Sequence, residues 1–471
     1  SSSGTDNLPE RRTDATPPTK SIAGPPLAPP VEQGDSSDDP LDQLFDMVDP
    51  TGAPPPSISE NTPPENNPAK QAVSAFIGSI AGRKPAAAKS AEGTDVIGAE
   101  RRIAAQLASI TGDPGFQALE ASWLGLRFLL RHSDRRAQCF VHVISATKED
   151  ASDAARAILV DAADQQPAGL GLLVSAHEYG SGPGDVNQLK ALAELGAEIQ
   201  VPVLATTSTT FVHGDEDLAR HRDPETLFQD ASYAPWSSLR LKPVSRWLGL
   251  TVNRFQLRPS VNLVADRNLG FSEASGAASV GDPLEAGGAW LVAALAAESL
   301  AATGWPTELT GPGNAIDGLP LYGDDKTDAV VYAVAIALRP DAAASLANAG
   351  LIALIGQGNR DIARLVRAPS VGSGRPDPTG DAPREGMFDY QMLVSRLIRQ
   401  IEGNADLIFN GNSVLGTRDA MEGFLVGLMG PEAGVSVALE TEESGDQILS
   451  LHIRTARNIL GGVAVNLDLP I

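Results

Sequence analysis

Residues 113–130 read DPGFQALEASWLGLRFLL, and their spacing decides how the rest of the chain is read. Phe116, Leu119, Trp123, Leu126 and Leu130 recur at alternating steps of three and four, which sets large apolar side chains along one stripe of an α-helix. Asp113 stands where such a helix is capped. Pro114 follows at the first position, where a missing amide costs nothing. Ile103, Leu107 and Ile110 continue the stripe upstream, so the pattern predicts two helical segments meeting at a turn around Gly112. A stripe of this kind is expected to face a core. The pattern alone names no function.

With 471 residues, 42% hydrophobic and 20% charged, the chain has ordinary globular composition and room for two or three core-bearing units. Its formal net charge of −23 argues against a nucleic-acid partner, because neutralising phosphates takes clustered Lys and Arg. The apolar run AWLVAALAA at Trp290 is too short to span a bilayer and is followed by Glu298, so a buried helix is expected and no membrane insertion. The first residues carry no basic-then-apolar signal. Cys139 is the single cysteine, which excludes an intrachain disulfide and suggests a reducing compartment; the cytoplasm is the expected location.

Residues 1–95 are Pro-rich and aromatic-poor, a composition expected to stay disordered as a tail or tether. Two stretches interrupt it at helical spacing: Leu41, Leu44, Phe45 and Val48, and then Val73, Phe76, Ile77 and Ile80. Each could fold in a partner's groove or remain transiently helical without one. Beyond the tail, residues 96–270 are expected to form an α/β domain and residues 271–471 a second α/β portion.

The first of these begins with a strand at 138–146 and a helix at 151–163. A buried strand at 171–176, a helix at 185–200 and a strand at 201–206 then make a βαβ unit with parallel strands. In the second portion the order is strand 329–338, helix 341–349, strand 351–356, a Gly/Pro-rich loop at 368–386 and helix 390–402. A further helix follows, capped by Thr417, with Met421, Phe424 and Leu428 inward. At the end, Leu449, Leu451 and Ile453 alternate with polar residues. Val463, Val465 and Leu467 do the same, so 447–454 and 462–469 read as adjacent half-buried antiparallel strands. The fold class expected is α/β (α+β): a mixed sheet with helices packed on it and antiparallel strands at the C-terminal end.

The wording of several stretches resembles the type VI secretion contractile-sheath large subunit (TssC/VipB type). Gln106, Leu107, Ile110, Phe116, Gln117, Leu119, Glu120, Trp123, Gly125 and Leu126 match that family's QL..I...P.FQ.LE..W.GL run. Tyr233, Trp236, Arg240, Ser245, Arg246, Gly249, Leu250, Arg254, Phe255 and Arg258 match a second, and Trp290, Ala293, Ala294, Gly304, Trp305, Gly311 and the GLP at Gly318 a third. Acidic DPLD-type motifs occur in the leaders of some such subunits too. Two departures are a short stretch at 163–169 and a 368–386 loop without the family's usual wording.

The resemblance implies a contractile-sheath-like fold and a structural rather than catalytic role. It implies pairing with a small sheath subunit (TssB/VipA type) and a helical polymer of such pairs around an inner tube protein (Hcp type). Contacts with baseplate components, and a disassembly ATPase acting on the complex, belong to the same picture. The alternating C-terminal strands are the expected assembly strands, since sheath proteins of this type exchange strands between subunits.

Chemistry-bearing motifs are sparse. The turn HEYGSGPGD sets Gly180, Gly182 and Gly184 before a helix, as a dinucleotide fold would, but it is not G-x-G-x-x-G and Asp185 would repel a phosphate. No G-x-S-x-G, H-E-x-x-H or P-loop lysine is present. No catalytic, cofactor-binding or metal-binding residue is therefore expected. Two alternatives to a sheath subunit are an α/β nucleotide-binding enzyme using residues 180–185 and a non-polymerising scaffold paralogue.

Overall fold

A computed structural model describes residues 92–137, 139–161, 169–212, 215–258, 284–322, 330–373, 386–409, 413–441 and 447–470. All of them belong to one compact unit, Ser79–Ile471. The tail motifs around Leu41 and Val73 lie outside the described residues, as does most of the stretch at 163–169 and of the loop at 368–386.

Helices α1 (Glu92–Thr111) and α2 (Pro114–His132) meet at the expected turn, where the Asp113 carboxylate accepts the Phe116 amide hydrogen at 2.9 Å. A short helix α3 (Ala151–Arg156) runs into a π turn, Ala157–Asp161. Strand β1 (Leu173–Tyr179), helix α4 (Pro183–Ile199) and strand β2 (Val203–Thr207) form the βαβ unit, parallel, with Leu173 opposite Val203. Strand β1 runs past Ala176 through His177 and Glu178 to Tyr179. Helices α5 (Asp215–Arg220) and α6 (Ala234–Arg240) lead to β3 (Leu248–Val252), β4 (Arg254–Arg258), β5 (Leu284–Gly287) and helix α7 (Gly288–Thr303). Then come β6 (Ala315–Ile316), α8 (Pro340–Asn348), β7 (Leu351–Gly356) and β8 (Ala363–Leu365). The C-terminal part holds α9 (Phe388–Gly403), α10 (Ala405–Phe409), α11 (Val414–Met429), β9 (Gly434–Thr441), β10 (Gln447–Arg454) and β11 (Ala464–Pro470).

Six strands form the main sheet in the order β1, β2, β3, β7, β8, β6, the first four parallel and the rest antiparallel. Alternate residues of its strands enter cores on opposite faces. Val203, Ala205, Leu351, Ala353 and Ile355 join α4, α6 and α8, while Leu204, Ile352 and Leu354 join α7 and α2. Burial on both faces is why these strands read as continuous apolar runs. Helix α7 is apolar on every side and buried along most of its length, as the AWLVAALAA run implies. The sheet crosses residue 270, since β3 and β7 are neighbours with Leu250 opposite Leu351. A third core begins with α9, where the inner face of the β9–β11 sheet packs on α9 and α11 around Leu397, Met421, Leu451 and Val465.

Several expectations are corrected. Residues 139–146 form no strand, because no described strand offers them a ladder; Val141 and Ile144 turn inward while Phe140 and Val143 stay exposed. Residues 330–338 make only isolated bridges at Tyr332 and Val334, and the Ile336 amide bonds to the Asn253 side chain instead of a strand. Helix α11 is capped by Ser413, which accepts the Gly416 amide at 3.3 Å, and Thr417 lies buried inside it. Strand β9 was not anticipated, although GVSVALET alternates as clearly as its neighbours.

Candidate assembly surface

Helix α2 has two apolar sides, and the structure buries the less obvious one. Gly125 lies against the Trp290 indole so closely that a Cβ would sit 2.6 Å from it. Phe128 stacks on Phe255 at 4.9 Å between ring centres, and Leu129 is buried. Glu120 takes two Arg258 guanidinium hydrogen bonds, at 2.7 and 2.8 Å, which locks α2 onto β4. At the C-terminal end of the helix His132 Nδ1 is 2.7 Å from Glu298 Oε1 on α7.

The stripe expected in the core therefore faces outward. Phe116 is 40% exposed and Leu119 and Trp123 are each 58% exposed; Leu130 is also exposed, while Leu126 is half-buried. At 100° per residue, Gly125 stands about 160° round the helix from Trp123 and Leu129 about 120°. A close approach that only glycine permits, together with the Glu120–Arg258 pair, outweighs the stripe in choosing the inward side. Ile103 and Ile110 of α1, and Phe140 and Val143 beyond α2, are exposed as well.

The other motif residues are framework and are not drawn together into one cleft. Tyr233 and Trp236 are buried in an aromatic cluster with Phe211 and Phe228, and the Tyr233 hydroxyl donates to the Phe211 carbonyl at 2.9 Å. Arg246 is exposed, its guanidinium 5.9 Å from the Trp247 ring. Gly249 lets the Phe388 ring approach β3, where a Cβ would stand 2.8 Å from it. Arg254 pairs with both Glu178 oxygens, at 3.1 and 2.6 Å, tying β4 to β1, while the Tyr322 hydroxyl donates to Glu285 at 2.8 Å. Burial, and then the Glu285 charge, push the Tyr322 hydroxyl well above its ordinary pKa, so it stays a donor. Phe255 and Trp305 are buried, the latter with its carbonyl accepting from Ser299 and Thr303 at 2.6 and 2.9 Å.

Sequence reading missed Asn253. It occupies a left-handed conformation (φ 85°) between β3 and β4, and it is buried. Its Nδ2 donates to the carbonyls of Ile336 and Leu354 at 2.8 and 3.0 Å. Its Oδ1 accepts from the amides of Arg254 and Ile336 at 2.9 and 3.0 Å. An asparagine, which tolerates left-handed backbone, between two short apolar runs in TVNRF was the available signal.

The glycine turn at 180–185 is already filled by its own side chain. Gly182 caps α4, and Asp185 accepts the Gly180 amide hydrogen and pairs with Lys148 at 2.8 Å. Although partial burial acts in the opposite direction, the Lys148 and Gly180 bonds hold the Asp185 carboxyl below its ordinary pKa. Such a carboxylate occupies the place an incoming phosphate would need. Asp185→Asn is expected to cost about 0.5–1 kcal/mol at neutral pH, solvent screening at this partly exposed site limiting the loss. A depressed folded-state pKa contributes stability above the unfolded value near pH ~4, and loses it as pH falls through the folded value. Urea melts of the two proteins should therefore differ at pH ~7 and converge in stronger acid. A gap that persisted below pH ~2 would count against the Lys148–Asp185 pair as its source.

The C-terminal sheet has the order β11, β10, β9, with Leu451 opposite Leu467 and Val437, and Ile453 opposite Val465 and Val435. Leu449, Leu451, Ile453 and Val465 are buried on its inner face; Val463 and Leu467 pack partly there, and Val463 lies just before β11. Among the described residues, β9 and β11 have no strand on their outer sides. Also among those residues, no three His, Cys, Asp or Glu side chains gather as metal ligands, and no helix is long and apolar enough to cross a membrane.

Residues 94–372 match the family model VipB (EvpB/VC_A0108, tail sheath N-terminal domain). The type VI secretion system sheath protein TssC1 of Pseudomonas aeruginosa is 25% identical over 331 residues, 64% of this chain and 66% of that protein's own length. Among solved structures, the anti-feeding prophage helical sheath in its contracted state is 14% identical with a TM-score of 0.29, over 60% of this chain and 61% of that one. The anti-feeding prophage baseplate, 6-fold symmetrised, is 12% identical with a TM-score of 0.37, over 74% and 75%.

Proposed function

Because the chain belongs to the VipB tail-sheath family, we propose that it is the large subunit of a type VI-like contractile sheath working in the cytoplasm. In this reading it pairs with a small sheath subunit, and the pairs polymerise helically around an inner tube, seated on a baseplate and open to recycling by a disassembly ATPase. No bond is made or broken by the chain itself. Contraction is a change between two packings of one set of interfaces.

The observation that carries the proposal is the outward stripe of Phe116, Leu119 and Trp123, which lies inside the matched region and is too apolar for a helix left in water. The open sides of β9 and β11 are the second surface, where an incoming strand would add its backbone hydrogen bonds. Leu449, Leu451, Ile453, Val463, Val465 and Leu467 fix the register of that sheet. The nucleotide-binding alternative is disfavoured by the filled turn at Gly180 and Asp185.

Co-expression with a small sheath subunit is expected to give a stable pair or helical polymer, visible by negative-stain microscopy. Val465→Pro should abolish it. The substitution removes an amide opposite Ile453 and a fully buried side chain from an edge strand, at about 2–4 kcal/mol locally. A chain that stays monomeric and indifferent to any small sheath subunit would point to the scaffold reading instead.

A further inference from the structure

Residues 139–146 find no ladder in the structure, and β1 shows why. The segment runs beside the outer edge of β1 and in the same direction. The Ala146 carbonyl meets the His177 ring, and Lys148 stands over the Tyr179 ring, an offset of 31 residues at both places. Val141 enters the core that holds Leu172, Val174 and α7, while Ile144 enters the one that holds Leu173 and the end of α4, on the opposite face of the sheet. Side chains three apart that reach opposite faces follow the alternation of a strand.

The backbone groups that a ladder would join are held by side chains instead. The Leu173 amide bonds to Pro202 and the Tyr179 carbonyl to Ser208, both on the β2 side, so the neighbouring Val174 and Glu178 turn their backbone groups to the outer side. At an offset of 31, a parallel ladder would take the Glu178 amide to the Ala146 carbonyl. In the structure that carbonyl accepts from His177 Nε2 at 3.2 Å. The His177 amide donates to the Ser175 hydroxyl at 3.3 Å, within the stretch between Val174 and Glu178 where β1 slips out of register with β2.

We infer that residues 141–148 are a latent seventh strand of the main sheet, parallel to β1, and that the His177 ring is the prop that keeps its ladder open. With the ring withdrawn, the amides of Ile144, Ala146 and Lys148 face β1 carbonyls, and closure leaves Val141 and Ile144 in their cores. The edge of β1 thereby has two states. Propped, its outer side has no strand paired to it among the described residues. Closed, the same side is sealed against pairing with any other chain. The inference does not depend on the sheath reading, because both states belong to the single chain.

Hydrogen exchange of the full-length chain, followed by mass spectrometry on peptides covering residues 139–150, tests it. His177→Val removes the prop and leaves a side chain suited to a strand, so exchange over 141–148 should slow about tenfold or more. His177→Gln keeps a donor for the Ala146 carbonyl and should exchange as the parent chain does. Adding Ala146→Pro to His177→Val should abolish the slowing, because it removes an amide the ladder uses. Adding Ser145→Pro should spare most of it, because that amide faces away from β1. Exchange over α4 is the control for folding and should stay constant; His177→Ile takes the place of His177→Val if that control shifts.

Unchanged or faster exchange in the valine variant would make the ring a tether and overturn the inference. Prolines that act alike at 145 and 146 would overturn it too, since the offset of 31 would then be wrong.

Discussion

Asn253→Ala is expected to be the most damaging single substitution outside the apolar cores, lowering stability by about 3–5 kcal/mol. The alanine would leave the carbonyls of Ile336 and Leu354, and the amides of Arg254 and Ile336, without their partner. These groups are buried among β3, β4, β7 and the segment before α8, where water does not readily replace a lost bond. The left-handed backbone adds its own cost for alanine. Asn253→Gly should therefore recover about 1 kcal/mol of the loss, because glycine removes the backbone cost and leaves the missing bonds. Urea denaturation of the three proteins checks both parts. If alanine cost under about 1 kcal/mol, the four bonds would not be the staple described here.

Gly287→Ala is expected to cost about 2–3 kcal/mol, although the backbone there suits any residue (φ −68°, ψ 154°). The reason is distance: a Cβ would stand 2.4 Å from the side chain of Thr206, whose hydroxyl accepts the Ala289 amide at 3.2 Å and lies 3.1 Å from the Thr251 hydroxyl. Helix α7 thus starts on the face of β2 with a threonine hydroxyl serving one of its unpaired amides. Thr206→Ala removes the two nearest atoms but keeps its own Cβ at 2.6 Å, so the double variant should be more stable than the sum of the two losses predicts, by only about 0.5 kcal/mol. Strict additivity would show that the approach to Thr206 is not what Gly287 provides.

Much of the architecture was legible because it depends on local pattern. The Asp113 cap, the βαβ unit, the apolar α7 and the alternation in β10 each follow from residues adjacent in sequence. What was not legible depended on partners far along the chain. The inward side of α2 is chosen by Trp290 and Arg258, each more than a hundred residues from the helix in sequence, so the most regular stripe in the protein was assigned to the wrong side. The segment 139–146 has strand composition but no described neighbour to pair with. The resemblance carried by Glu120, Trp123, Arg254 and Trp290 placed the family correctly. It did not reveal which of these residues hold the framework and which are displayed. Glu120, Arg254 and Trp290 hold it, and Trp123 is displayed.

The pairing of β3 with β7 also sets a clock on biosynthesis. Leu250 and Leu351 are partners about a hundred residues apart, a strongly non-local contact of the kind that forms late. At about 5–20 residues per second, a ribosome needs about 5–20 s to make the chain between them. During that interval β1, β2 and β3 exist without the strand that completes the parallel array, and the largely apolar α7 emerges before one of the strands that cover it. The nascent chain is at its most aggregation-prone in this window. A chaperone able to hold extended apolar segments would act there, after α7 leaves the ribosome and before β7 does.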